Sequence, residues 1–221
     1  MPFAVSFVGF HNTGKTTLLA AVAKELMARG LKVGALKSSK EERPHLERPG
    51  ADTEIFWAAG VQKVAFWGAK EGLLRYHVPE KDDFSFWYYL NRFFPEEEIV
   101  LCEGFKKIRS LPKLEIVRPD GPEPLFAKGL PGLIAVISPQ NLQTRLPVLP
   151  PDPKQIATFI LERRPQRKAP ATLLVDGKPV GLTRFVAKAL AESVKGFVRT
   201  LRGVRDPKVI ELRIDSFEDQ G

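Results

Sequence analysis

The 221-residue chain is poor in thiol, thioether and imidazole side chains, with one cysteine, two methionines and three histidines. The lone thiol, Cys102, excludes a disulfide framework and a multi-cysteine metal site. It suits a reducing compartment, and a cytoplasmic location is expected. Its place inside an apolar run makes it a small buried hydrophobe rather than a nucleophile. His11, His45 and His77 share no metal-ligand spacing. No apolar run approaches the roughly 18 residues that a membrane-spanning helix needs. The opening MPFAVSFVGF is apolar without a basic leader, so it reads as a first strand rather than a secretion signal. Internal repeats and low-complexity tracts are missing as well.

The composition that remains, 43% hydrophobic and 27% charged, is that of an ordinary globular chain. Its length fits one full domain and a smaller appendage. Lysine and arginine number 34 against 26 aspartate and glutamate, a net charge of +8, which by itself suggests a polyanionic partner. The excess is local. Residues 1–153 are nearly neutral at +2, residues 154–213 carry +9, and the tail DSFEDQG carries −3. Proline clusters between Pro119 and Pro170, and RRPQRKAP (163–170) is the best linker. The chain therefore divides into a nucleotide-binding domain over 1–165 and a small basic α+β domain over 170–215.

Apolar runs at 3–8, 31–37, 61–66, 72–77, 98–102, 113–117 and 132–137 read as strands, separated by helical patterns at about 15–29, 50–59 and 82–94. PDPKQIATFILERR begins another helix. Strands alternating with helices predict an α/β fold: a mostly parallel sheet covered by helices on both faces. Beyond the linker, the order strand, DGK turn, strand, long helix, strand predicts a small ββαβ unit. In its helix, Arg184, Lys188, Lys195, Arg199 and Arg202 share a sector of about 60°, with Leu182, Phe185, Val186, Ala189, Leu190, Phe197 and Leu201 as an apolar stripe.

One motif carries chemistry. Gly9-Phe10-His11-Asn12-Thr13-Gly14-Lys15-Thr16 matches the phosphate-binding pattern G-x-x-x-x-G-K-S/T, placed between an apolar strand and an amphipathic helix as its mechanism requires. The glycines let successive N–H groups turn inward as an anion nest, and the helix adds its positive dipole end. Lys15 supplies a mobile charge to the β and γ phosphates, and the Thr16 hydroxyl suits Mg²⁺. The fold expected is P-loop NTPase-like. Such a site also needs an acid at a strand end, and Glu103, closing Ile99-Val100-Leu101-Cys102, is the first candidate for holding the ion or orienting a water. Asp52 is the second. No Asn/Thr-Lys-x-Asp guanine signature occurs, and no motif places an arginine finger in cis, which predicts slow turnover. A small-molecule kinase, or another P-loop NTPase using ATP, stands as the alternative. A nucleic-acid-binding module is a third reading that the charge alone suggests.

Taken together, these segments resemble the molybdopterin-guanine dinucleotide biosynthesis protein B (MobB) family. The resemblance rests on GFHNTGKTTLL (9–19), VGALK (33–37), Arg48-Pro49-Gly50-Ala51-Asp52-Thr53 with Ala58-Ala59-Gly60, Glu103-Gly104-Phe105-Lys106 running on to Pro112-Lys113-Leu114-Glu115-Ile116-Val117-Arg118, and GLIAVIS (132–138). It covers about residues 1–163, and the C-terminal pattern resembles an extension of some members. The resemblance implies a GTP-binding accessory protein of molybdenum-cofactor maturation, a weak GTPase acting mainly as an adaptor. Its partner would be the guanylyltransferase that joins GMP to molybdopterin, and it would be a homodimer. Gly9, Asn12, Thr13, Gly14, Lys15, Thr16 and Thr17 would bind GTP, with Thr16, Asp52 and Glu103 at Mg²⁺ and molybdopterin as a further ligand. Catalytic roles would fall to Lys15 and Glu103. The chain departs from the family where Ser38-Ser39-Lys40-Glu41-Glu42 replaces a histidine-rich run and Ser138-Pro139-Gln140-Asn141 replaces a segment with aspartate. GTP and ATP therefore both stay open.

Overall fold

A strand that is apolar at every position must be covered on both sides, and FAVSFV behaves accordingly. In the computed structural model, which describes residues 2–11, 13–39, 51–78, 80, 82–165, 169–175, 178–205, 207 and 209–214, this segment is β1 (Phe3–Val8) at the centre of a six-stranded sheet. The other elements of the first unit are α1 (Lys15–Ala28), β2 (Val33–Lys37), α2 (Asp52–Ala58), β3 (Lys63–Trp67), β4 (Gly72–Tyr76), α3 (Asp83–Phe93), β5 (Ile99–Glu103), β6 (Lys113–Ile116), β7 (Leu133–Ile137), β8 (Val148–Leu149) and α4 (Pro153–Arg163). The sheet runs β2-β5-β1-β6-β7-β8 and every pairing in it is parallel.

Side-chain alternation along β1 splits the core in two. Val5 and Phe7 join Leu19, Val22 and Leu26 of α1 and Ile156, Ala157 and Ile160 of α4 on one face. Ala4 points to the other, where Phe86 and Leu90 of α3 meet Val100 and Cys102 of β5. Helices thus cover both faces, as the alternation of strand and helix patterns predicts.

Three local features differ from the sequence reading. The runs at 61–66 and 72–77 do not enter the main sheet; as β3 and β4 they pair with each other, antiparallel, with Val64 opposite Arg75. Only residues 68–71 separate them, and a parallel crossover needs about a dozen residues or more. The short β8 went unrecognised because Pro147 and Pro150 bracket two residues, a pattern confined to sheet edges. The third difference lies in the C-terminal segment.

Contacts divide the chain into two compact units, Met1–Pro165 and Gln166–Gly221. Within the second, β9 (Leu173–Val175) and β10 (Lys178–Val180) form an antiparallel hairpin ahead of α5 (Arg184–Arg199). Thr183 caps α5, its Oγ1 accepting the Val186 N–H at 3.4 Å. The helix buries Ala187 and Ala191, while Phe185 and Phe197 of the expected apolar stripe are exposed. The final strand of the expected ββαβ unit is not formed among the described residues, since 209–214 have no regular structure.

Candidate functional site

The strand order puts two neighbours against β1 at its C-terminal end, where open α/β sheets bind ligands. Phe7 lies opposite Glu103 of β5, and Val8 opposite Glu115 of β6. Between these strand ends the chain leaves β1 through Gly9 and enters α1. Gly9 has φ 147°, and a Cβ there would lie 2.8 Å from the Ile116 carbonyl oxygen, so both conformation and space require glycine. Gly14 is the α1 N-cap in the left-handed region, at φ 80°. It carries no capping side chain, and no acid stands in the first turn, so the opening N–H groups of α1 are left to bind an anion.

Within the loop, Lys15 Nζ donates to the Phe10 carbonyl at 2.5 Å and lies 3.4 Å from Thr13 Oγ1, which itself donates to that carbonyl at 3.0 Å. Burial is the largest influence on the Lys15 ammonium and lowers its pKa; Glu103 opposes this, and Lys106 and Lys37 lower it further. Charged groups from the end of β2 and from the end of β5 with the turn after it therefore act on Lys15. The decisive contact is Thr16 Oγ1 donating to Glu103 Oε2 at 2.7 Å across 87 residues of chain. It joins the first turn of α1 to the end of β5. A hydroxyl and a carboxylate side by side are hard oxygen donors, the set that suits Mg²⁺.

Of the other residues singled out from sequence, Thr17 is exposed on α1 and Asn12 lies outside the described residues, as do Arg48, Pro49, Gly50 and His45. Asp52 opens α2, a helix packed on β3. Among the described residues, no hydrogen bond or ion pair joins Asp52 to Thr16 or Glu103. His77 packs on Trp57 with ring centroids 4.2 Å apart. Cys102 is buried, and its thiol is pushed up to about 12 by that burial, which removes it as a nucleophile.

Sequence reasoning gave no role to Lys37, Lys106, Glu115 or Lys128. Glu115 is fully buried and accepts the Leu125 and Phe126 N–H groups at 2.5 and 2.8 Å. Burial raises its carboxyl pKa, and those two amides and Lys106 oppose the rise. Lys113 is buried too, donating to the carbonyls of Ile108, Leu111 (2.9 Å) and Pro131 (3.0 Å). It pins the β5–β6 connection to the start of β7. The one signal in the sequence for Lys106 was its place three residues past the strand-end acid.

A family model described as molybdopterin guanine dinucleotide synthesis protein B matches residues 4–139, the stretch that holds the loop, Glu103 and Glu115. The chain belongs to the MobB family. It is 33% identical over 134 residues to a probable molybdopterin-guanine dinucleotide biosynthesis adapter protein of Bacillus subtilis (strain 168), covering 60% of this chain and 74% of the relative. The adapter protein of Escherichia coli (strain K12) is 26% identical over 163 residues, covering 72% of this chain and 91% of that one. The crystal structure of Bacillus subtilis MobB superposes with a TM-score of 0.59 at 27% identity, over 76% of this chain and 100% of that chain. The parallel sheet and its helices are thus a MobB fold, and the curated relatives are adapter proteins of molybdopterin-guanine dinucleotide biosynthesis. No helix among the described residues is long and apolar enough to cross a membrane.

Proposed function

We propose that this MobB family member is a nucleotide-dependent adapter in molybdopterin-guanine dinucleotide biosynthesis. It binds GTP with Mg²⁺ at residues 9–17, hydrolyses it slowly, and assists the guanylyltransferase that joins GMP to molybdopterin. It works as a cytoplasmic homodimer. The observation that carries the reading is the Thr16–Glu103 contact of 2.7 Å beside Lys15, because it unites the phosphate loop with an acid at the neighbouring strand end.

The residues divide the work. The loop N–H groups and Lys15 bind phosphate oxygens, with Lys15 leaving the Phe10 carbonyl to do so. Thr16 and Glu103 would hold Mg²⁺, whose chemistry is to offset charge on the phosphates. Glu103 would also orient a water and take its proton. No sequence motif places an arginine finger in cis, in keeping with slow turnover and with nucleotide acting chiefly to order the surrounding loops.

The test is calorimetry. Lys15→Ala should abolish binding of GTP in the presence of Mg²⁺, and an affinity equal to that of the wild-type chain overturns the assignment. The adapter role is checked by retention of the guanylyltransferase on the immobilised protein with and without GTP, and pairing by sedimentation.

A further inference from the structure

Three ammonium groups gather on Phe10, the second residue of the phosphate loop. Lys15 Nζ bonds its carbonyl at 2.5 Å, Lys106 Nζ lies 5.4 Å from its ring centroid, and Lys128 Nζ lies 5.8 Å from the same centroid. Lys37, at the end of β2, adds a fourth positive charge that acts on Lys15. Lys128 is paired with Glu123 at 3.5 Å. Among the described residues Lys37 and Lys106 make no ion pair. Glu103 acts on Lys15, Glu115 interacts with Lys106 and Glu123 pairs with Lys128, three carboxylates against four ammonium groups; like charges repel, and an anion among them relieves the repulsion that is left.

The position of Lys106 is built by the backbone. Gly104 and Phe105 follow β5 with φ of 91° and 51°, two successive left-handed residues, and the second lacks the freedom of glycine. The turn is nonetheless locked. Gly104 donates its N–H to the Phe7 carbonyl at 3.0 Å, and its own carbonyl accepts from Ser6 Oγ at 2.7 Å. A Cβ at Gly104 would lie 3.2 Å from Ser38 Cβ. The Phe105 ring meets Phe86 edge-on at 5.1 Å. Backbone strain held this firmly accompanies functional sites. Here the turn does two things at once. It stops β5 at Glu103, whose carboxylate meets Thr16, and it directs the next side chain but two back over the phosphate loop.

We infer that Lys106 is a specificity-determining residue of the nucleotide site, reading the terminal phosphate and so separating nucleoside triphosphate from diphosphate. The inference rests on the proposed nucleotide site at residues 9–17. Lys15 on that reading serves the β and γ phosphates, and a second ammonium arriving from the β5 side adds charge-assisted hydrogen bonds to the oxygens that only a triphosphate offers. The Phe10 ring holds that ammonium by a weak cation–π contact, which phosphate oxygens readily supersede. Glu115 supports the same surface by tying down residues 125–126, close to Lys128.

The experiment uses the full chain with Mg²⁺ and calorimetric titration of guanosine 5′-[β,γ-imido]triphosphate and GDP, with the adenine counterparts in parallel. Lys106→Ala should weaken the triphosphate analogue by about 10- to 100-fold and the diphosphate by less than about threefold, and Lys106→Arg should restore most of the difference. Should the alanine variant not fold, Lys106→Met keeps the stem and carries the same test. An unchanged ratio of triphosphate to diphosphate affinity in these variants, with the wild-type chain binding both, overturns the inference alone. A wild-type chain that binds none of the four nucleotides overturns the proposed site and this inference together.

Discussion

Glu103 is one carboxylate at the tip of a strand, and its short bond to Thr16 joins it to the first turn of α1. Glu103→Gln keeps the size and one acceptor oxygen but removes the base. Turnover of GTP should fall by about 100-fold, more than the affinity for GTP does, as single-turnover assays beside calorimetry would show; equal rates would remove Glu103 from the mechanism. The adjacent Cys102 points to the opposite face of the sheet, among Ala4, Phe86 and Leu90. With its thiol raised to about 12 by burial, it should stay unreactive to a disulfide-exchange reagent at pH 8 in the folded protein and titrate fully in denaturant. Rapid labelling of the native chain would contradict that burial. The nature of both residues was legible in the sequence, because an apolar run ending in an acid specifies a buried strand and an exposed tip. Lys106 was not. Its placement depends on two left-handed residues in a row, and Phe105 is a residue type from which such a conformation cannot be anticipated.

At the scale of the element, α3 shows how local chemistry and tertiary contact share one terminus. Asp82 caps it by accepting the Ser85 N–H at 2.7 Å, a role its position before the apolar pattern indicates. Asp83, one residue on, reaches out of the helix to accept the Arg109 and Ser110 N–H groups at 2.8 and 3.0 Å. Burial works against its ionisation, yet those bonds and Lys113 prevail and hold its carboxyl below the ordinary value. Its stabilisation is therefore full above the ordinary carboxylate range and is lost as pH falls through the folded-state value. Asp83→Asn should lower the unfolding free energy at neutral pH by about 1 kcal/mol after solvent screening, and should flatten the acid side of the urea-unfolding profile. An unaltered acid limb would show that the α3 tether carries no charge-dependent stability. The β3–β4 hairpin makes the complementary point. Its two strands were readable from their apolar residues, and their mutual pairing follows from the four-residue connection, but periodicity alone is silent on which sheet a strand joins.

For the whole molecule, every contact described around residues 9–17 comes from within Met1–Pro165. A chain ending at Pro165 should bind the triphosphate analogue within about 0.5 kcal/mol of the full-length protein, measured by calorimetry on both. A larger loss would show that residues 166–221 contribute to the nucleotide site. By unit, the net charge divides evenly, +4 in residues 1–165 and +4 in residues 166–221. The sequence by itself determined the parts: a buried first strand, a glycine-bounded loop after it, an amphipathic α1, an acid at a strand end, and a basic appendage. These are set by residue type and spacing over a few positions, where conformational preference and burial act locally. Only the tertiary structure decided that β5 lies beside β1, that Glu103 therefore reaches Thr16, and that Lys106 and Lys128 converge on Phe10. Strand order and parallel register join residues far apart in the chain. They are chosen by the packing of whole faces against one another, which no short spacing encodes.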